Sequence, residues 1–334
     1  MGRHQNTAPS FASLRQRIAR AVYASCAIPG AEVPRDRAIL RIVYPAQPAR
    51  GKEQLDSGFI PADVAGAPYP VVVIMPGINV GPEAYAWLAR YLALRGRIAV
   101  TYAFVAEELA GCVSLTPGLD LSALAPATYG SRPSGSAIAP ILDAVGRENE
   151  GGVLKGCVDV DSVILAGHSA GGSVALYNAN PEWFPQVRGA FAYAAHSGAS
   201  TMLGFDENTI LPLPGERPLL LAAGTRDGVI ANSAHRYGGM SDPVRATFEQ
   251  GITRDRGDCY LVKVEGANHF SIAWPADEAS GRHYLDETEG GEGESIRRLL
   301  AALLDAFIAD TVNASAQRMR RFAGHALVAE FCRR

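Results

Sequence analysis

The sequence predicts an α/β fold, a mostly parallel wound sheet with helices on both faces. Three observations carry that expectation. Strand-like and helix-like runs alternate from about residue 37 to the C-terminus. The apolar strand-like runs are short and unbroken rather than alternating with polar residues, as befits strands covered on both faces. An apolar fraction of 48% over 334 residues supplies a large core, while no apolar run approaches the length of a membrane span.

The elements follow in chain order. Arg15, Arg17 and Arg20 lead into the small, weakly apolar run 21–28, which is too short and mild for a secretion signal. It is expected to be a peripheral helix, about residues 10–30, of a cytoplasmic protein. Strands are expected at 38–44, 70–75, 97–103, 162–167, 187–194, 218–223 and 259–264, enough for one wound sheet. Pro82 opens a helix with Leu88, Tyr91 and Leu92 on one face, and 296–308 repeats Ile296, Leu299, Leu300, Leu303, Leu304, Phe307 and Ile308 at helical spacing. Three stretches, 51–66, 109–136 and 276–294, are rich in Gly, Pro, Ser or charge and read as loops or small insertions. The tail 314–334 offers Met319, Phe322, Leu327 and Phe331 and reads as an added helix. The expectation is thus one domain, 1–334, with a C-terminal helical appendage at about 294–334.

One junction carries chemistry. Gly167-His168-Ser169-Ala170-Gly171 is a G-x-S-x-G pentapeptide between the apolar run Ser162-Val163-Ile164-Leu165-Ala166 and the helix-like 172–177. Ser169 falls on the strand-to-helix turn, where flanking glycines allow a tight, strained bend with the hydroxyl at its apex. Such a serine needs a base within reach and an acid to orient that base. The run 218–223 leads through Gly224-Thr225-Arg226 to Asp227, and 259–264 leads through Glu265-Gly266-Ala267-Asn268 to His269. Both side chains are therefore expected at the sheet edge that bears Ser169. The chain order Ser169, Asp227, His269 is that of the α/β-hydrolase fold and differs from the orders of chymotrypsin-type and subtilisin-type proteases. Asp206 in Gly204-Phe205-Asp206-Glu207 is the rival acid, since some hydrolases take the carboxylate from an earlier strand.

Developing charge on an attacked carbonyl oxygen calls for two N–H donors. Ala170, just after the serine, is one candidate. Ile78, after the abrupt strand end Met75-Pro76-Gly77, is the other, with Asn79 behind it. His168, His196, Asn79 and Trp274 are expected to line the substrate pocket.

Over about residues 71–272 the chain resembles serine α/β-hydrolases of the dienelactone-hydrolase, chlorophyllase and polyester-hydrolase (cutinase-like) lineages. The likeness rests on Met75-Pro76-Gly77-Ile78, Gly167-His168-Ser169-Ala170-Gly171-Gly172, Gly224-Thr225-Arg226-Asp227 with Asn232-Ser233-Ala234, and Gly266-Ala267-Asn268-His269. The resemblance implies a Ser169, Asp227, His269 triad with Ile78 and Ala170 as oxyanion donors. It adds carboxylic ester hydrolysis through an acyl-enzyme as the expected activity. Dienelactone hydrolases proper carry cysteine at the elbow, where this chain has Ser169.

Composition narrows the partners. A formal charge of -3 from interspersed acidic and basic residues gives no basic field for nucleic acid, so the expected substrate is a small or medium ester, neutral or weakly charged. Five cysteines without C-x-x-C spacing read as reduced structural residues, and neither a metal nor an organic cofactor is expected. Acyl transfer or amide hydrolysis with the same triad, and a non-catalytic ligand-binding role, are the alternative functions. The insertion 109–136 and the tail are candidate roofs over the site.

Overall fold

Residue patterns in the central strands dictate a layered core. In the run Val71-Val72-Val73-Ile74-Met75 every side chain is buried. Val71, Val73 and Met75 join one apolar layer, while Val72 and Ile74 join the other. Alternation of side chains along a strand does this automatically when both faces are covered.

The computed structural model describes residues 17–334. In chain order the elements are β1 (Ile18–Ala27), β2 (Arg37–Ala46), α1 (Lys52–Ser57), β3 (Tyr69–Met75), α2 (Ala86–Leu94), β4 (Ile98–Leu109), β5 (Cys112–Leu115), α3 (Ile138–Glu150) and β6 (Val158–His168). They continue as α4 (Ala170–Asn178), β7 (Val187–Tyr193), β8 (Leu219–Gly224), α5 (Gly228–Ala231), α6 (Pro243–Ala246), β9 (Cys259–Val264), α7 (Gly293–Val312) and β10 (Val328–Arg333). The sheet runs β1-β2-β4-β3-β6-β7-β8-β9-β10, with β5 folded back on β4. From β4 to β9 all neighbours are parallel. The outer pairs β1–β2, β2–β4 and β9–β10 are antiparallel. The α/β class and the mostly parallel sheet expected from sequence are both present.

Helices α3 and α4 bury Ile138, Ile141 and Val174 in the layer of Val71 and Val73. On the opposite face α2 and α7 bury Leu88, Leu92, Leu299 and Leu303 against Val72 and Ile74. Each such Leu or Ile contributes about 1.5–3 kcal/mol relative to exposure. Among the described residues no helix is long and apolar enough to cross a membrane. All five cysteines are free thiols.

Two terminal expectations are corrected. The helix expected at about 10–30 is instead strand β1 from Ile18, paired over ten residues with β2; residues 10–16 lie outside the described part. Ile18, Val22, Ala24 and Cys26 pack on one layer and Ala19 and Ala21 on the other, a two-residue period masked by alanine-rich, helix-favouring composition. The appendage expected to be helical over 294–334 is helical only to Val312. Buried Asp310 accepts from the backbone N–H of Arg318 at 3.0 Å and Met319 at 2.9 Å, turning the chain back on itself. The remainder becomes β10, pinned to β9 by its ladder and by Glu330 between Arg245 and Lys263.

Candidate active site

Sheet topology selects the location. From β3 the chain crosses to β4 on one side and later returns through α3 to β6 on the other, so the strand order reverses between β3 and β6. In open parallel sheets the crevice at the carboxyl ends of such a pair is the usual binding place. Here those ends are Met75 and Gly167, directly opposite in register, followed by Pro76-Gly77-Ile78 and by Ser169.

Ser169 sits between β6 and α4 at φ 54° and ψ -123°, a conformation non-glycine residues seldom adopt. Such strain costs on the order of 1–3 kcal/mol and persists only where the surroundings over-determine it. The backbone does so here. The Ser169 N–H donates to Tyr193 O at 2.9 Å. A Cβ on Gly167 would collide with the Gly171 carbonyl, and one on Gly171 would strike the Met75 and Pro76 carbonyls. Among the described residues five non-glycines have positive φ, and three of them, Asn79, Ser169 and Ala194, line a single cavity of about 550 Å³.

His269 lines that cavity with Ser169. Its Nδ1 lies 2.9 and 3.0 Å from the two oxygens of Asp227, and both side chains are buried. A carboxylate is an acceptor, so Nδ1 is the ring nitrogen that donates in this contact. Asp227 also caps α5, accepting from Ile230 N–H at 2.8 Å, which fixes the carboxylate. The rival Asp206 is exposed on a loop.

Asp286, unmarked by any sequence pattern, ties the two loops together. Its Oδ1 accepts from Gly228 N–H at 3.0 Å and from His269 N–H at 3.2 Å, and its Oδ2 from Phe270 N–H at 3.2 Å. Burial pushes its carboxyl pKa up, opposed by the donors from the His269 backbone.

The expected oxyanion donors face the same space. Ala170 and Ile78 both line the cavity. The Ala170 amide opens α4, where a helix has no internal acceptor, and among the described residues the Ile78 amide makes no backbone hydrogen bond. By contrast Asn79 N–H donates to Leu115 O at 2.9 Å and Val80 N–H to Gly77 O at 3.1 Å. Asn79 lines the cavity, but its Oδ1 is engaged by Leu115 N–H at 3.0 Å, so it knits the strand-end loop to β5.

Of the other expected pocket residues, His168 and His196 reach the cavity and Trp274 does not. Trp274 is 49% exposed, holds Ala84 O through its backbone N–H and stacks against Arg297. Its loop leaves the cavity lining after Phe270 and returns to it at Gly281, which the sequence distance from His269 does not disclose. His168 is buried below the elbow, with Nδ1 2.9 Å from Tyr85 OH, which in turn accepts from Gly77 N–H at 3.1 Å. Burial, then the adjacent His269, holds His168 well below the ordinary imidazole value. His196 accepts from Gly198 N–H at 3.1 Å and meets the Tyr237 ring edge-on; burial pushes its pKa down to about 4. Both rings are neutral at pH 7.

The 109–136 segment supplies cavity wall, through Cys112, Val113, Ser114, Leu119, Leu121 and Leu124. The tail expected as a second roof contributes nothing to the cavity, because β10 occupies the sheet edge beyond β9. Two further wall residues, Arg236 and Arg282, were not expected from the sequence. Among the described residues no group of three or more His, Cys, Asp or Glu is placed to hold a metal ion. A scan against protein-family models and a search of curated proteins return no match for this chain.

Proposed function

We propose that this chain is a serine-dependent carboxylic ester hydrolase of the α/β-hydrolase fold. The observation that carries the reading is the strained Ser169 turn opening onto the same cavity as a buried His269 whose Nδ1 is held by Asp227. The strand ends also follow the expected order, with elbow after β6, acid after β8 and base after β9.

In this reading His269 Nε2 takes the Ser169 hydroxyl proton as Oγ attacks the ester carbonyl carbon. Asp227 stabilises the resulting imidazolium. The amides of Ile78 and Ala170 hold the oxygen that becomes negative. The C–O bond to the alcohol then breaks, and the alcohol departs with the proton from His269. Water, deprotonated by the same nitrogen, attacks the acyl-enzyme; the acid is released and Ser169 recovers its proton. The neutrality of His168 suits this cycle, since a second cation beside His269 would oppose imidazolium formation.

Labelling by a fluorophosphonate probe tests the reading. Stoichiometric modification is expected, located at Ser169 by peptide mass spectrometry and abolished by Ser169→Ala. A folded protein that stays unlabelled would instead be a binding member of the fold.

A further inference from the structure

Two buried titratable side chains, Tyr85 and His168, take no proton in the cycle above, yet they touch each other beneath the Ser169 turn. Tyr85 closes the turn 82–85 that leads into α2. The direction of the hydrogen bonds follows from the donors. Gly77 N–H can only donate, so the Tyr85 oxygen accepts there at 3.1 Å and its own proton goes to His168 Nδ1 at 2.9 Å. His168 Nε2 then carries the ring proton, and that nitrogen is buried with no hydrogen-bond partner among the described residues. Burial, the main cause in both, raises the Tyr85 pKa and lowers that of His168, so neither ionises near neutral pH and the direction of the relay is fixed.

An orphaned buried N–H is costly, and a leucine or phenylalanine at 168 would fill space without it. The value of the ring therefore lies in its other nitrogen. Backbone geometry is adapted to that contact: a Cβ on residue 77 would stand 3.0 Å from His168 Nδ1, closer than ordinary packing allows. Both ends of the relay adjoin the reaction. Gly77 immediately precedes Ile78, whose amide is the proposed oxyanion donor, and His168 immediately precedes Ser169. The β3–β6 ladder ends at Met75 and Gly167. Past that pair, the tie through Tyr85 carries the registration of the two chains into the site, while Asn79 is tied to Leu115 instead.

We propose that Tyr85 and His168 are positioning residues for ester hydrolysis: the relay from Gly77 N–H through the Tyr85 hydroxyl to His168 Nδ1 sets where the Ile78 amide stands relative to Ser169, and so how well the developing oxyanion is held. The proposal rests on the ester-hydrolase reading above and deepens it. Both residues act through the Ile78 amide rather than on the reacting atoms.

The test compares p-nitrophenyl butyrate with its thiono analogue, in which sulfur replaces the carbonyl oxygen. Sulfur accepts hydrogen bonds poorly, so the ratio of kcat, oxygen over sulfur, reports on the oxyanion donors, and comparing variant with wild type cancels intrinsic reactivity. Tyr85→Phe keeps the ring and removes the relay. It should lower kcat on the oxygen ester about ten- to a hundredfold with KM within about twofold, and shrink the oxygen-over-sulfur ratio about tenfold. His168→Leu should do the same, whereas His168→Asn, which offers an acceptor where Nδ1 stood, should recover most of the loss. Circular dichroism checks that each variant folds; should Tyr85→Phe fail, the Leu and Asn variants at 168 decide. A merely structural role would lower the melting temperature and leave the ratio of the folded enzyme at its wild-type value, and that result overturns the proposal, as does equal loss in His168→Leu and His168→Asn. Fluorophosphonate labelling separates the two readings. A wild type that labels at Ser169 while the ratio stays unmoved in the variants sinks the positioning role alone; a wild type that neither labels nor turns over either ester sinks both.

Discussion

The Ser169 turn and the Asp227–His269 pair lie at the same sheet edge but are held by different means. Ser169 is fixed by backbone: glycines at 167 and 171 let carbonyls approach where no Cβ fits, and Tyr193 O takes the serine N–H. Asp227 and His269 sit on loops whose mutual position depends on a side chain from far along the sequence, Asp286, which collects N–H donors from Gly228, His269 and Phe270. The first arrangement tolerates almost no sequence change yet needs no partner. The second is assembled from replaceable hydrogen bonds, so it should yield by degrees.

Four measurements would break or sharpen that contrast. Ser169→Ala leaves the turn in place and should lower kcat on p-nitrophenyl butyrate on the order of 10⁴- to 10⁶-fold with unchanged melting; retained turnover would sink the triad assignment. Gly171→Ala drives a methyl into the Met75 and Pro76 carbonyls and should cost more than about 4 kcal/mol in urea unfolding, or prevent folding. A mild loss there would show that the turn can relax, against the idea of a backbone-locked elbow. Asp286→Ala strands buried N–H groups and should cost roughly 2–3 kcal/mol and lower kcat about ten- to a hundredfold with little change in KM. Rescue by Asp286→Asn, which keeps an acceptor, would confirm that hydrogen bonding rather than charge does the holding. The smallest effect is titration of the neighbouring loop after β7. His196 has a folded pKa of about 4, below the ~6.5 of an unfolded histidine, so the unfolded chain takes up the proton first. Stability is therefore fully present above about pH 6.5 and drains away as pH falls toward 4. From pH 7 to 5 the loss from this residue should be roughly 1–2 kcal/mol in urea melts, and His196→Asn should shrink it; equal losses would assign the titration elsewhere.

The same contrast explains what could be read from sequence. Backbone-held features leave residue-type traces: the glycines around Ser169, the Pro76-Gly77 strand end and unbroken apolar runs all marked their structures. Strand ends bearing Asp227 and His269 were legible because the strands before them were. Asp286 left no trace, since one acid in the charged segment 276–294 looks like any other. Arg236 and Arg282 stayed hidden for the same reason, each being one charged residue among many along the chain. The strands β1 and β10 were missed because edge strands gain their stability from a neighbour's ladder, and local composition at 18–27 favoured a helix. Trp274 was misplaced because a loop's direction after a motif is set by what it packs on, here Ala84 and Arg297.

The double hydrogen bond between Asn79 and Leu115 makes the loop bearing Ile78 and the β5 wall one mechanical piece. An engineer who randomised residues 112–124 to admit bulkier substrates would therefore also be moving the Ile78 loop, whose amide is the proposed oxyanion donor. Selectivity and turnover should drift together in such a library, whereas changes at Met202 or Leu203, which belong to a separate stretch of the cavity lining, should retune preference while leaving speed closer to that of the parent.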